Sequence, residues 1–235
     1  MNGWLVSDRA AFKIEKGLPA DREVHPPEAF ETLRPLLDAS ELELARRLDL
    51  FHLAAARALR ASAPPDLEAV YLPGLDIVTM HELGEAPASD LAALDAKLAT
   101  VRAQYRFVDT LLAAATAGLG PGEVLVLVGD PGRLARGSAT PAEGLLVLAG
   151  EAVAAVDLGS ASERDVAPTV LHLLGLPRSR ELDGQVLEAS LSESFRREHP
   201  VRTVDSYGRR PPSHPADSAF DQDVLEQLKS LGYIQ

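Results

Sequence analysis

The chain has no cysteine among its 235 residues. That absence excludes disulfides and thiolate metal sites, and it suits a reducing compartment. Long apolar runs are also missing. No segment approaches the roughly 20 apolar residues of a membrane span. The opening Met1-Asn-Gly-Trp-Leu-Val-Ser-Asp8 has no apolar stretch of signal-peptide length. A cytoplasmic location and no membrane partner are therefore expected. Basic clusters are missing as well: 23 Lys and Arg stand against 35 Asp and Glu, a net charge of -12 that is spread along the chain. Phosphate backbones bind clustered Lys and Arg, so no nucleic-acid partner is expected. The sequence also lacks a Gly-x-Gly-x-x-Gly loop, a Gly-x-x-x-x-Gly-Lys loop, a Gly-x-Ser-x-Gly elbow and a His-Glu-x-x-His pair. An enzyme built on one of those motifs is excluded.

What is present suits a globular protein. A hydrophobic content of 46% can bury a core, and the length fits one domain or one with an appendage. Ser40-Glu-Leu-Glu43 reads as a capping box that opens a helix with Leu44, Leu48, Phe51, Ala55 and Leu59 at helical spacing, ended by Pro64-Pro65. Leu67 to Leu75 reads as a strand without polar alternation, as in a parallel sheet covered on both faces. Leu91, Leu94, Leu98, Val101, Tyr105, Val108 and Leu112 then alternate spacings of three and four, the stripe of a long amphipathic helix that Gly118 to Gly122 stops. Val124 to Val128 and Leu145 to Leu148 read as strands joined by a polar loop.

In Asp165-Val-Ala-Pro-Thr-Val-Leu-His-Leu-Leu-Gly175, Asp165 as N-cap places Pro168 in the first turn, where N–H groups have no partner in any case. Starting the helix at Ser162 would put Pro168 where its N–H is needed. The alternation of strands and helices predicts an α/β fold: a doubly wound, mostly parallel sheet with helices on both faces, spanning residues 1–203. Residues 204–217 read as a linker. Ser218-Ala-Phe-Asp221 then caps a short helix with Phe220, Val224, Leu228 and Leu231 on one side, giving a C-terminal helical appendage over 218–235.

Two motifs carry a resemblance. Glu123-Val-Leu-Val-Leu-Val-Gly-Asp130-Pro131-Gly132 is an apolar strand ending in an acid, and Pro65-Asp-Leu-Glu-Ala-Val-Tyr-Leu-Pro-Gly-Leu-Asp76 precedes it. Together with the 165–175 segment they resemble the phosphodiesterase and nucleotide pyrophosphatase branch of the alkaline phosphatase superfamily. The Leu-Lys-Ser-Leu-Gly-Tyr-Ile ending is similar to that of many bacterial sulfatase-like and phosphatase-like proteins. The resemblance runs from residue 3 to about residue 190 and implies the family's C-terminal half, N-terminally truncated. The nucleophilic Thr or Ser and the first metal-binding Asp have no counterpart, and Ser7 and Thr79 lack the acids that would activate them through a metal.

In that family the second motif ends in Ser-Asp-His-Gly, whose Asp and His bind metal; here the imidazole position is Pro131. A His four residues beyond the first Asp is replaced by Met80, with His81 one residue later. No histidine lies between His81 and His172, so the family's third histidine is missing too. Asp76, Asp130 and His81 are the remaining candidate metal ligands. Even a second-layer change costs about 10 to 100-fold in metal affinity, so a loss of direct imidazole ligands leaves no expected cofactor. His52 and His172 lie in predicted helices and read as packing residues.

The resemblance therefore implies a non-catalytic, degenerate relative of metal-dependent phosphodiesterases, a pseudoenzyme acting as a binding or assembly module. The alternative is a metal-dependent phosphoesterase, using zinc or another divalent ion, whose nucleophile-bearing half lies on a separate or missing segment. Asp76 and Asp130 are expected close together at the C-terminal ends of neighbouring parallel strands. A homo-oligomer, or a protein partner covering an exposed sheet edge beside Leu67 to Leu75, is expected. The competing expectation is that residues 1–35, with Trp4, Leu5, Phe12 and Ile14, fold back over that edge.

Overall fold

The centre of the fold is one long helix, α3 (Leu44–Ser62), that serves two apolar clusters. The protein is described by a computed structural model over residues 3–15, 17, 23–37, 43–84, 89–130 and 143–209. On α3, Phe51 and Ala55 are one turn apart and share a face. They pack with Ala10 and Ala11 of α1 (Arg9–Glu15), Val24 of β2 (Val24–His25) and Leu33 of α2 (Phe30–Leu33). Strand β1 (Leu5–Val6) pairs antiparallel with β2 at the edge of this cluster. Ala45, on another side of α3, packs with Val78 of α4 (Gly74–Leu83) and Val101 of α5 (Leu91–Ala117). Ala63 is extended ahead of Pro64, as the proline ring requires, and ends α3 there. The N-cap is Glu43; Ser40 lies outside the described residues.

The expected doubly wound parallel sheet is not what the chain forms. Among the described residues there are three separate two-stranded sheets: β1–β2, β3 (Val124–Gly129) with β4 (Leu145–Gly150), and β5 (Arg178–Ser179) with β6 (Thr203–Val204). Only β5–β6 is parallel, and it is two residues long. β3 and β4 form an antiparallel pair running from Val124 opposite Gly150 to Gly129 opposite Leu145.

The strand expected over Leu67 to Leu75 is also absent. Residues 63–72 have no regular structure, and the Pro-Gly-Leu-Asp motif starts α4 instead. Pro73 is preset for a helix start, and the Asp49 carboxylate of α3 accepts the first N–H of α4, from Gly74, at 2.8 Å. The edge that residues 1–35 were expected to cover is therefore not formed by Leu67 to Leu75; of those residues, Ala10, Ala11, Val24 and Leu33 are buried in the cluster with Phe51 and Ala55 of α3, and Val6 and Ile14 pack against it.

α5 is as long as its stripe predicts, and Asp90 caps it by accepting the Ala93 N–H at 2.8 Å. Its inward face, however, is centred on Val101 and Gln104, while Leu91 and Tyr105 are 81% and 57% exposed. No helix among the described residues is long and apolar enough to cross a membrane.

In the C-terminal part, Ser162-Glu-Arg-Asp165 forms a true capping box, contrary to expectation. The Ser162 hydroxyl accepts the Arg164 N–H, and Asp165 accepts the Ser162 N–H. A 3-10 turn over Glu163–Asp165 absorbs the box, so α6 (Val166–Leu173) begins late enough to keep Pro168 in its first turn. The other Asp165 oxygen accepts the Gln185 N–H at 2.8 Å, and the Thr169 hydroxyl accepts the Leu187 N–H at 3.0 Å. Leu182 to Leu187 is thus held as an irregular segment by side chains. α7 (Glu193–Glu198) follows. Of the segment read as a linker, residues 204–209 are described. Tyr207 donates to the Pro177 carbonyl at 2.6 Å and accepts the Ser179 N–H at 3.0 Å. The rest of it and the 218–235 appendage lie outside the described residues.

Candidate functional site

Among the described residues the three candidate metal ligands are not gathered into one group. Asp76 lies in the first turn of α4 and His81 in its last. Five residues on a helix turn the side-chain direction by about 140°, so the two diverge. The His81 side chain is 72% exposed and lies 3.5 Å from Glu82. Asp130 is exposed at the end of β3, and Pro131 lies outside the described residues. The parallel strands that were to bring Asp76 and Asp130 together are missing, because the Asp76 motif is helical. Among the described residues no group of three or more His, Asp or Glu could hold a metal ion. This donor set does not fit the zinc pair that the resemblance implies, and no chemistry is derived through one.

The structure brings together a different polar group, which the sequence reading missed. Asp49 of α3 is fully buried between α4 and α5, where it accepts from Gly74 N–H at 2.8 Å and from Gln104 Nε2 at 3.0 Å. Gln104 in turn accepts from Arg46 Nε at 3.4 Å, and the Arg46 guanidinium lies 5.3 Å from the centre of the Phe107 ring. Burial raises the Asp49 carboxyl above its ordinary range, against these two hydrogen bonds. The arrangement is that of a structural clamp: it caps α4 and ties three helices together. Its sequence signal was an acid on the apolar side of α3, four residues after Ala45.

His52 is buried on α3, where its Nδ1 donates to the Tyr71 carbonyl at 2.9 Å and its Nε2 has no partner. Burial lowers its pKa, with the Tyr71 carbonyl and Asp8 acting the other way. His172 is buried in α6 edge-on to Phe195, with ring centres 5.8 Å apart. Its Nε2 is also without a partner, and burial lowers its pKa too.

The surface best suited to binding is the β3–β4 hairpin. Its sequences are Val-Leu-Val-Leu-Val-Gly and Leu-Leu-Val-Leu-Ala-Gly, with no polar side chain on either face. Such all-apolar strands belong to sheets covered on both sides. Yet none of the twelve residues is buried, and Val128, Leu145 and Val147 are 56%, 56% and 43% exposed. Each strand has the other as its sole sheet neighbour among the described residues.

Comparison with models of protein families, with curated proteins and with solved structures finds no match. The class defined by fold and surface is a helix-rich mixed chain carrying an open apolar hairpin.

Proposed function

We propose that the chain is a non-catalytic binding or assembly module, a degenerate relative of metal-dependent phosphodiesterases, which works by associating through its β3–β4 hairpin. The hairpin carries this reading. Its residues are those of a sheet interior, and a lone two-stranded hairpin is at best marginally stable in water. Association supplies what the strands lack, since open edges and exposed apolar surface both favour it. Met80 and Pro131, standing where the resembled family has imidazoles, support the absence of catalysis.

The test is turnover. The purified full chain, given zinc or manganese and a chromogenic phosphodiester, should hydrolyse no more than buffer with the same metal. Hydrolysis that a chelator abolishes would overturn the reading and favour the phosphoesterase alternative.

A further inference from the structure

We propose that residues 193–201, which carry α7, form a strap over α6 that is released when His172 takes up a proton. This device lies apart from the hairpin and does not rest on the reading of the chain as an assembly module.

The strap is pinned at its ends and loose between them. At one end Leu191 is fully buried and bridged to Val153, and the Ser192 N–H donates to the Ala152 carbonyl at 2.8 Å. At the other end the Arg202 carbonyl accepts the Arg178 N–H at 2.8 Å, and the Arg202 guanidinium donates to the Gly175 carbonyl just after α6. Among the described residues, no backbone hydrogen bond runs from residues 193–201 to anything beyond Ser192. Ring contacts hold the middle down. Phe195 meets His172 edge-on with ring centres 5.8 Å apart, and His199 lies tilted against Phe195 at 4.5 Å. A cavity of about 270 Å³ runs along this seam, bordered by His172 and Leu176 on one side and by His199 and Arg202 on the other. Close packing does not back the ring contacts there.

His172 is placed for a neutral ring. It is 6% exposed, and its Nε2 is buried without a partner. The charged ring carries a proton on both nitrogens, so the one on Nε2 would have no acceptor. Burial is the strongest influence against the charged form; of the charged groups facing the ring, Glu188 favours it while His199 and Arg202 oppose it. α6 carries no other titratable side chain. Of the turn and strand packed on it, Asp165 is engaged by the Ser162 and Gln185 N–H groups, Arg164 by Asp183 and Arg178 by the Leu182 carbonyl, and Glu163 is exposed.

Lifting the strap lets the charged ring reach water. A six-residue helix cut off from its packing is too short to persist, so α7 melts as it lifts. Because the folded ring titrates below the ordinary 6.5, release grows as pH falls below that value and reverses as pH rises.

Hydrogen exchange and NMR on the full chain test this. Between pH 7.5 and pH 5.5 the protection factors of the Phe195 and His199 amides should fall about five- to tenfold more than that of Phe51 in α3. In His172→Leu, shown to be folded by circular dichroism matching that of the parent, the excess should vanish. In the parent, which needs no substitution, the excess loss should level off at the pH where the His172 Cε1–H resonance titrates. An equal fall at Phe51, an excess that persists in His172→Leu, or a loss that continues unchanged through the His172 titration would overturn the proposal.

Discussion

Asp49 caps a helix to which it does not belong: its carboxylate accepts the Gly74 N–H at 2.8 Å, 25 residues along the chain and on another helix. Removing that acceptor leaves the Gly74 N–H and the Gln104 amide buried without it. Asp49→Ala should cost about 3 kcal/mol, the scale of two stranded buried donors. Urea denaturation monitored by circular dichroism measures it; a loss below about 1 kcal/mol would mean that α4 does not depend on this cap.

Gly74 is constrained by the same contact. A Cβ there would lie 2.2 Å from Asp49 Oδ2 and 2.6 Å from Gln104 Nε2. Gly74→Ala should therefore destabilise the fold by about 2 to 4 kcal/mol despite alanine's better helix propensity, because it displaces both bonds. An unchanged urea midpoint would show that the clamp can open without cost.

A second close approach lies in the C-terminal part. A Cβ on Gly184 would come within 1.8 Å of the Arg164 carbonyl, which is backbone and cannot rotate away. Gly184→Ala should lower stability by at least about 2 kcal/mol and raise hydrogen exchange at Gln185 and Leu187, whose N–H groups are held by Asp165 and Thr169.

The buried histidines set a pH dependence. His52 and His172 have folded pKa values below the usual 6.5, so the native state binds fewer protons than the unfolded chain. Their contribution is fully present above pH 6.5 and is lost as pH falls below it. Asp49, whose pKa is raised, runs the other way and contributes less as pH rises. Comparing the parent with His52→Leu at pH 8 and pH 5.5 cancels the Asp49 contribution. The parent should lose more stability than the variant over that interval, and equal losses would remove His52 as a cause.

His81, 72% exposed, should be dispensable. Metal analysis of chain purified without chelator should find well under one zinc per chain, and His81→Ala should change neither that content nor the melting temperature. A stoichiometric zinc that His81→Ala removes would contradict this placement.

The elements with a strong local pattern were legible in the sequence. α3 and α5 follow from apolar spacing, α6 from Asp165 and Pro168, and β3 and β4 from short apolar runs between turn residues. The extended reading of Leu67 to Leu75 failed because an apolar run without alternation has no period to settle it. What settles it is Asp49, a residue remote in sequence whose carboxylate starts α4 at Gly74. Strand direction was equally hidden, since no single strand's pattern says whether its neighbour runs with or against it. For the candidate site, the place of Asp49 on the apolar side of α3 was legible from spacing alone. The importance of Gln104 was not, because a glutamine beside an apolar stripe looks the same whether or not a buried acid awaits it.

Phe51 and Ala45 stand on the same helix but in different clusters, and this has a mechanical consequence. α3 is a shared wall. Wetting it from the side of α1 and α2 exposes the support on which α4 and α5 rest, and the reverse holds equally. The segments on either side of α3 are thereby joined into one cooperative unit, although the clusters share no residue.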